Sequence, residues 1–195
     1  LLGRATAGSG DTEEITLGTN LSYTGTTLNA ASSGITLGTE VASTSGTAID
    51  FTGIPAGVKK ITIVFVGVST SGSSNLLIEV GDAGGVETTG YLGTGGVIRN
   101  GSTGAGATST AGFICANPNE GGLGSLLHGA VTLFLENSAA FTWVGSGVIN
   151  NSETVYAGAI GGSKSLSAEL DRVRITTVNG SDTFDAGKIN IQYSS

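Results

Sequence analysis

Lys60-Ile61-Thr62-Ile63-Val64-Phe65-Val66 is the stretch on which the reading of this chain turns. Its odd positions are apolar throughout, while its even positions drift from polar to apolar. That two-residue period predicts a central β-strand, packed on both sides near its end. Two later stretches, Arg172-Val173-Arg174-Ile175-Thr176 and Lys188-Ile189-Asn190-Ile191-Gln192, alternate cleanly and should each keep one face wet.

Working outward, strands are expected over 48–52, 59–68, 76–80, 90–98, 110–116, 130–136, 141–148, 154–160, 172–178 and 188–193. Ile54-Pro55-Ala56-Gly57 places proline and glycine where a turn needs them and should reverse the chain into the strand from Lys59. Asn137-Ser138-Ala139-Ala140 should close a hairpin. The best helical candidate, 165–170, is too short for more than one turn. Strands about ten residues apart with turn residues between them favour a sandwich or jelly roll over a solenoid.

The composition agrees. Glycine stands at 34 of 195 residues and proline at 2, with only 12% charged residues, so neither collagen nor a charge-rich disordered tail fits. The glycines fall between short runs of Val, Ile, Leu, Thr and Phe, as expected for many strands joined by tight turns. The length suits one core with an appendage.

The appendage is the first part of the chain, where Ile15-Thr16-Leu17-Gly18-Thr19 recurs as Ile35-Thr36-Leu37-Gly38-Thr39. Each copy reads as a three-residue strand closed by a glycine turn. Strands this short bury little apolar area, which is worth about 25 cal/mol per Å². They need company, and in a repeated β-segment that company is often another chain. The expected fold is therefore all-β: a short-strand N-terminal stem over 1–45, then a jelly-roll-like antiparallel β-sandwich over 46–195.

A net charge of −7 argues against a nucleic-acid partner, which needs clustered Lys and Arg, and disfavours an anionic membrane surface. The single Cys115 has no internal disulfide partner and reads as a small buried hydrophobe. No apolar stretch approaches membrane-spanning length, and Leu1-Leu2-Gly3-Arg4 lacks the features of a signal peptide. The absence of any methionine is expected of a segment within a longer polypeptide.

Four places could carry chemistry. His128, the only histidine, would have to serve any Ser-His-Asp or Cys-His site, but it reads as a half-exposed β-residue where a loop enters a strand. Calcium ligands are conceivable in Glu79-Val80-Gly81-Asp82-Ala83 and Asn179-Gly180-Ser181-Asp182, which both read first as turns. Gly158-Ala159-Ile160-Gly161-Gly162-Ser163-Lys164-Ser165 has a faint phosphate-loop pattern, with Ser163 where the glycine belongs and no helix following, so a polar turn is favoured. No catalytic residue, metal or cofactor is expected.

The run from Leu1 through Gly10-Asp11-Thr12-Glu13-Glu14-Ile15-Thr16-Leu17-Gly18-Thr19-Asn20-Leu21-Ser22, followed by Gly25-Thr26-Thr27-Leu28-Asn29-Ala30, resembles a module of tail-fibre and tail-tip proteins of tailed phages and prophages. Gly53-Ile54-Pro55-Ala56-Gly57-Val58-Lys59-Lys60-Ile61 and Leu170-Asp171-Arg172-Val173-Arg174-Ile175-Thr176 resemble the C-terminal domains that follow that module. Residues 83–126 lie outside the resemblance. It implies the C-terminal region of a receptor-binding virion protein: a homotrimer with an interwoven stem and a distal knob. The knob would meet a host cell-surface glycan or outer-membrane protein, and an upstream part would join other tail proteins.

Binding by such a knob should fall to loops, because sandwich strands are committed to the core. The richest are 100–109, with Asn100, and 117–125, with Asn117, Asn119 and Glu120 as hydrogen-bonding groups. Tyr91, Trp143 and Tyr156 are candidate platforms for sugar rings, although Phe141 and Trp143, two apart on one strand face, read first as core. A purely structural virion protein, such as a head fibre or trimerising cap, is the alternative class. A fragment of a polysaccharide depolymerase is the weaker one, since the acids are scattered and no solenoid carries them.

Overall fold

The computed structural model describes residues 2–3, 13–14, 16–18, 21–24, 26–30, 34–99, 104–115, 126–152 and 156–195. Among these residues there are eighteen strands and no helix, and the chain divides into two compact units at Gly34/Ile35.

The first unit holds β1 (Leu2–Gly3) paired with β2 (Glu13–Glu14), and β3 (Leu21–Thr24) paired with β4 (Thr27–Ala30). In the second hairpin Tyr23 stands opposite Leu28 and Leu21 opposite Ala30. No side chain described in this unit is buried: Leu21, Tyr23 and Leu28 are 42%, 38% and 46% exposed.

The second unit comprises β5 (Thr36–Leu37), β6 (Val41–Ala42), β7 (Ile49–Thr52), β8 (Lys60–Thr70), β9 (Leu76–Asp82), β10 (Gly85–Glu87), β11 (Leu92–Arg99), β12 (Ala105–Ser109), β13 (Phe113–Cys115), β14 (Leu127–Asn137), β15 (Thr142–Asn151), β16 (Tyr156–Ser165), β17 (Arg172–Thr177) and β18 (Phe184–Ser194). Two antiparallel sheets share one core. The larger has nine strands in the order β12-β11-β16-β15-β14-β8-β18, with β5 and β6 both along the free edge of β18. The smaller centres on β9, flanked on one side by β17 and β7 and on the other by β10 and β13.

β8 behaves as its alternation requires. Ile61, Ile63 and Phe65 are 0–1% exposed, and their inward face meets Ile78, Val80, Val173 and Ile175 of the smaller sheet in one hydrophobic cluster with Val131 and Leu133. Burial on both faces begins at Val68, later than the sequence suggests, because Val66 is still 42% exposed. Between these points β8 and β18 slip register around Gly67 (φ 63°) and Gly187 (φ 87°). A side chain on Gly187 would run into the Gly67 carbonyl oxygen, so this crossing requires a residue without Cβ.

Three glycines set the spacing between the sheets. Gly93 on β11, Gly162 on β16 and Gly145 on β15 are register partners in one row, which continues into Leu133 on β14. β13 lies against this row: a Cβ on Gly145 would stand 3.0 Å from two carbons of the Phe113 ring, and one on Gly93 would strike the Gly112 carbonyl oxygen. The glycines thus open a trough in the larger sheet, and Phe113, 0% exposed, fills it.

The turns follow the sequence. Gly57 takes a positive φ of 81° after Pro55, and its N–H donates to Glu169 Oε1 at 2.7 Å. Asn137 Oδ1 accepts from the N–H groups of Ala139 and Ala140, and Phe141 leaves the turn at φ 48°, so it is a turn residue and not the start of β15.

Four expectations are corrected. The unit boundary lies at 34/35 and not 45/46, because Thr36–Leu37 and Val41–Ala42 pair with β18 and the Gly38 N–H donates to the Ile191 carbonyl. The second copy of the ITLGT repeat is therefore part of the sandwich, whereas Thr16 to Gly18 of the first copy form no strand. Residues 105–109 are strand β12, not loop, and 85–87 form β10. The segment 165–170 contains no helical turn.

Candidate functional site

Strand register brings several connections to one end of the sandwich. Arg99 at the end of β11 pairs with Tyr156 at the start of β16; Tyr156 pairs with Asn151 at the end of β15; Asn151 pairs with Leu127 at the start of β14. Leu127 in turn pairs with Val68, near the end of β8. The connections 100–104, 116–126 and 152–155 are therefore anchored side by side. The connections 71–75 and 178–183 join them, since Leu76 pairs with both Cys115 and Thr177.

The described part of this end is fastened by polar groups. Asn179 Oδ1 accepts from the N–H groups of Ser181 and Asp182, and Asp182 Oδ2 accepts from the Ser74 N–H at 2.9 Å. The Thr183 N–H donates to Ser71 Oγ, and the Ser69 hydroxyl donates to Asp185. The turn at Asn179 to Asp182 thus spends its oxygens within the fold, on these N–H groups, the Thr177 hydroxyl and the Asn179 side-chain amide. His128, half-buried on β14, accepts from the Gly67 N–H through Nδ1 at 3.3 Å.

The sequence-nominated binding residues separate into three groups. Asn100, Asn117, Asn119 and Glu120 lie outside the described residues, but the strand ends that anchor their loops adjoin one another. Tyr156 opens β16 at the same end. Tyr91 and Trp143 are 0% and 2% exposed and offer no surface platform: the platform reading of Tyr91 is corrected, and Trp143 follows the core reading that came first for it.

Tyr91 sits within a polar network. Its hydroxyl accepts from the Val80 N–H at 2.7 Å and lies 2.8 Å from the Glu87 carbonyl, to which it donates. Its ring meets Phe113 edge-on, at 5.4 Å and 87°. Burial raises its phenol above the ordinary value. Sequence reading misses this because the residue follows Gly90 at the exit of a turn, and its partners on β9 and β10 are set by pairing.

Lys164, the lysine of the glycine-rich stretch, lies on β16 and points inward at 6% exposure. Its Nζ is 2.5 Å from Glu87 Oε2 and 5.5 Å from the centre of the Tyr91 ring. Burial alone would raise the Glu87 carboxyl, but Lys164 and the Ser167 N–H more than offset this and hold it below its ordinary range. Asp82 is held low chiefly by the Ser167 hydroxyl, at 2.6 Å, and then by the Gly84 N–H. These groups join the β9–β10 hairpin to the segment after β16. The lysine is committed to an ion pair on a strand, not held in a phosphate-binding loop.

Cys115 is 2% exposed, and burial pushes its thiol up to about 12. It should resist a thiol reagent at pH 8 in the folded protein and react at the free-thiol rate in denaturant, a contrast that an absorbance assay with a chromogenic disulfide reads directly. No protein-family model, curated protein or solved structure matches the chain.

Proposed function

We propose that this chain is a non-enzymatic attachment module of a tailed-phage virion, held as a homotrimer through its leading unit and meeting the host surface with the loop-bearing end of its sandwich. The observation that carries the reading is the bare leading unit. The β3–β4 hairpin presents Leu21, Tyr23 and Leu28 to solvent with nothing described in its own unit to cover them. A lone two-stranded hairpin is marginal in water, so other copies of the same segment are its natural cover. The resemblance of the opening residues to tail-fibre modules supports the same reading.

The sandwich suits a display role. Its strands form one core, and several connections are anchored at a single end, the arrangement by which a rigid scaffold carries variable recognition loops. The partner would be a surface glycan or an outer-membrane protein.

The test is binding of the fluorescently labelled full chain to a panel of intact bacterial cells, beside variants in which 100–103 or 117–125 is replaced by a Gly-Ser segment of equal length. Saturable binding to some strains, reduced at least ~10-fold in one variant, is the expected result. Binding untouched by both replacements would remove the loop end as the site. No binding to any strain would favour a purely architectural role.

A further inference from the structure

Exposed large apolar side chains occur in two main places. One is the β3–β4 hairpin of the first unit, with Leu21, Tyr23 and Leu28; the other is the solvent-side face of the nine-stranded sheet, with Leu92 and Ile98 at 74% and 75% exposure and Val66, Phe134, Val144 and Val148 between 38% and 48%. On that face the register sorts side chains into rows across the strands. Phe134, Val144, Ser163 and Leu92 form one row. Thr62, Thr132, Ser146, Gly161, Thr94 and Thr108 form the next. Val64, Ala130, Val148, Ala159, Gly96 and Gly106 form a third.

The third row and the hydroxyl row carry no charge, and the first meets one only at Lys60, beside Phe134. In a chain of net charge −7, such a field is where two copies can approach without repulsion between carboxylates. With strands about 4.8 Å apart and residues about 3.3 Å apart, the rows cover roughly 30 by 20 Å, on the order of 600 Å² before side-chain relief is counted. A stable interface takes about 800 Å² from each partner. A neutral glycan fits less well: Phe134 is the one aromatic side chain in these rows, whereas Leu92, Val144 and Val148 give sugar hydroxyls no partner.

We propose that the solvent-side face of the nine-stranded sheet is a self-association surface, covered by other copies of this chain. The inference rests on the homo-oligomer reading but places the contact on the sandwich itself, separately from the leading unit.

The test uses full-length Ser146→Cys, with Thr94→Cys as a second variant and Ser181→Cys, in an exposed turn, as the free control; Cys115 is buried and does not compete. Light scattering gives the mass and a maleimide gives the labelling rate. The expected result is a multimer in which the thiols introduced on the sheet face, in the S146C and T94C variants, label at least ~10-fold more slowly than the one in S181C, with all three labelling at equal rates in denaturant. Val148→Asp should raise the dissociation constant at least ~10-fold. A multimer in which S146C and T94C label as fast as S181C would overturn this surface and leave the homo-oligomer reading standing. A folded monomer at tens of micromolar would overturn both.

Discussion

Phe113→Ala should lower the unfolding free energy by about 3–5 kcal/mol, the usual cost of emptying a fully buried phenylalanine site. The upper half of that range is expected, because the ring lies against Gly145 and Gly162, which have no side chains to relax into the void. The edge-on contact with Tyr91 is lost as well. For a chain of this size each kcal/mol moves the melting temperature by about 2–4 °C, so a drop of roughly 10 °C or more should appear by circular dichroism. A loss below about 1 kcal/mol would mean that β13 does not hold the sheets together.

Lys164→Met should cost about 2–3 kcal/mol at pH 7. Breaking a fully buried ion pair typically costs about 3–5 kcal/mol, and Glu87 at 24% exposure recovers part of that through water. The pH dependence identifies the cause. In the native protein the Glu87 carboxyl is held below its ordinary value of 4.5, so its contribution is present above that value and lost as the pH falls through the lowered one. Without the lysine, its hydrogen bond and charge no longer offset burial, so the carboxyl moves up and the pairing that K164M removes matters only while Glu87 is ionised. The difference between variant and parent in urea unfolding should therefore shrink between pH 7 and pH 4. Adding Glu87→Gln to the variant should recover much of the loss at pH 7. An equal difference at both pH values would show that lost packing, not charge, is the cause.

The strand content is legible where one face of a strand is wet. β8, β17 and β18 announce themselves by alternation, since Ile61, Ile63, Val173, Ile175, Ile189 and Ile191 all turn inward. The turns at Pro55 to Gly57 and Asn137 to Ala140 are legible because their residues have special backbone or capping preferences. β12 and the second half of β16 are not, because Ala105-Gly106-Ala107 and Gly161-Gly162-Ser163 read as loop and turn material; β11 and β15 are expected as strands, but only pairing across the sheet reveals that their Gly93 and Gly145 share a row with Gly162.

The candidate site divides the same way. That loops between sandwich strands would carry any recognition follows from the sequence; that the connections around Asn100, 116–126 and 152–155 share one end requires the register linking Arg99, Tyr156, Asn151 and Leu127. Tyr91 reads as a surface ring in the sequence and is not one, because burial is a property of neighbours distant in the chain. The sequence alone determined an all-β chain with few charges, because hydrophobic period and turn chemistry are local properties. Only the tertiary structure decided which strands are neighbours, which glycines admit Phe113, where Lys164 points and which apolar face stays bare, because pairing and close packing join residues that no local pattern connects.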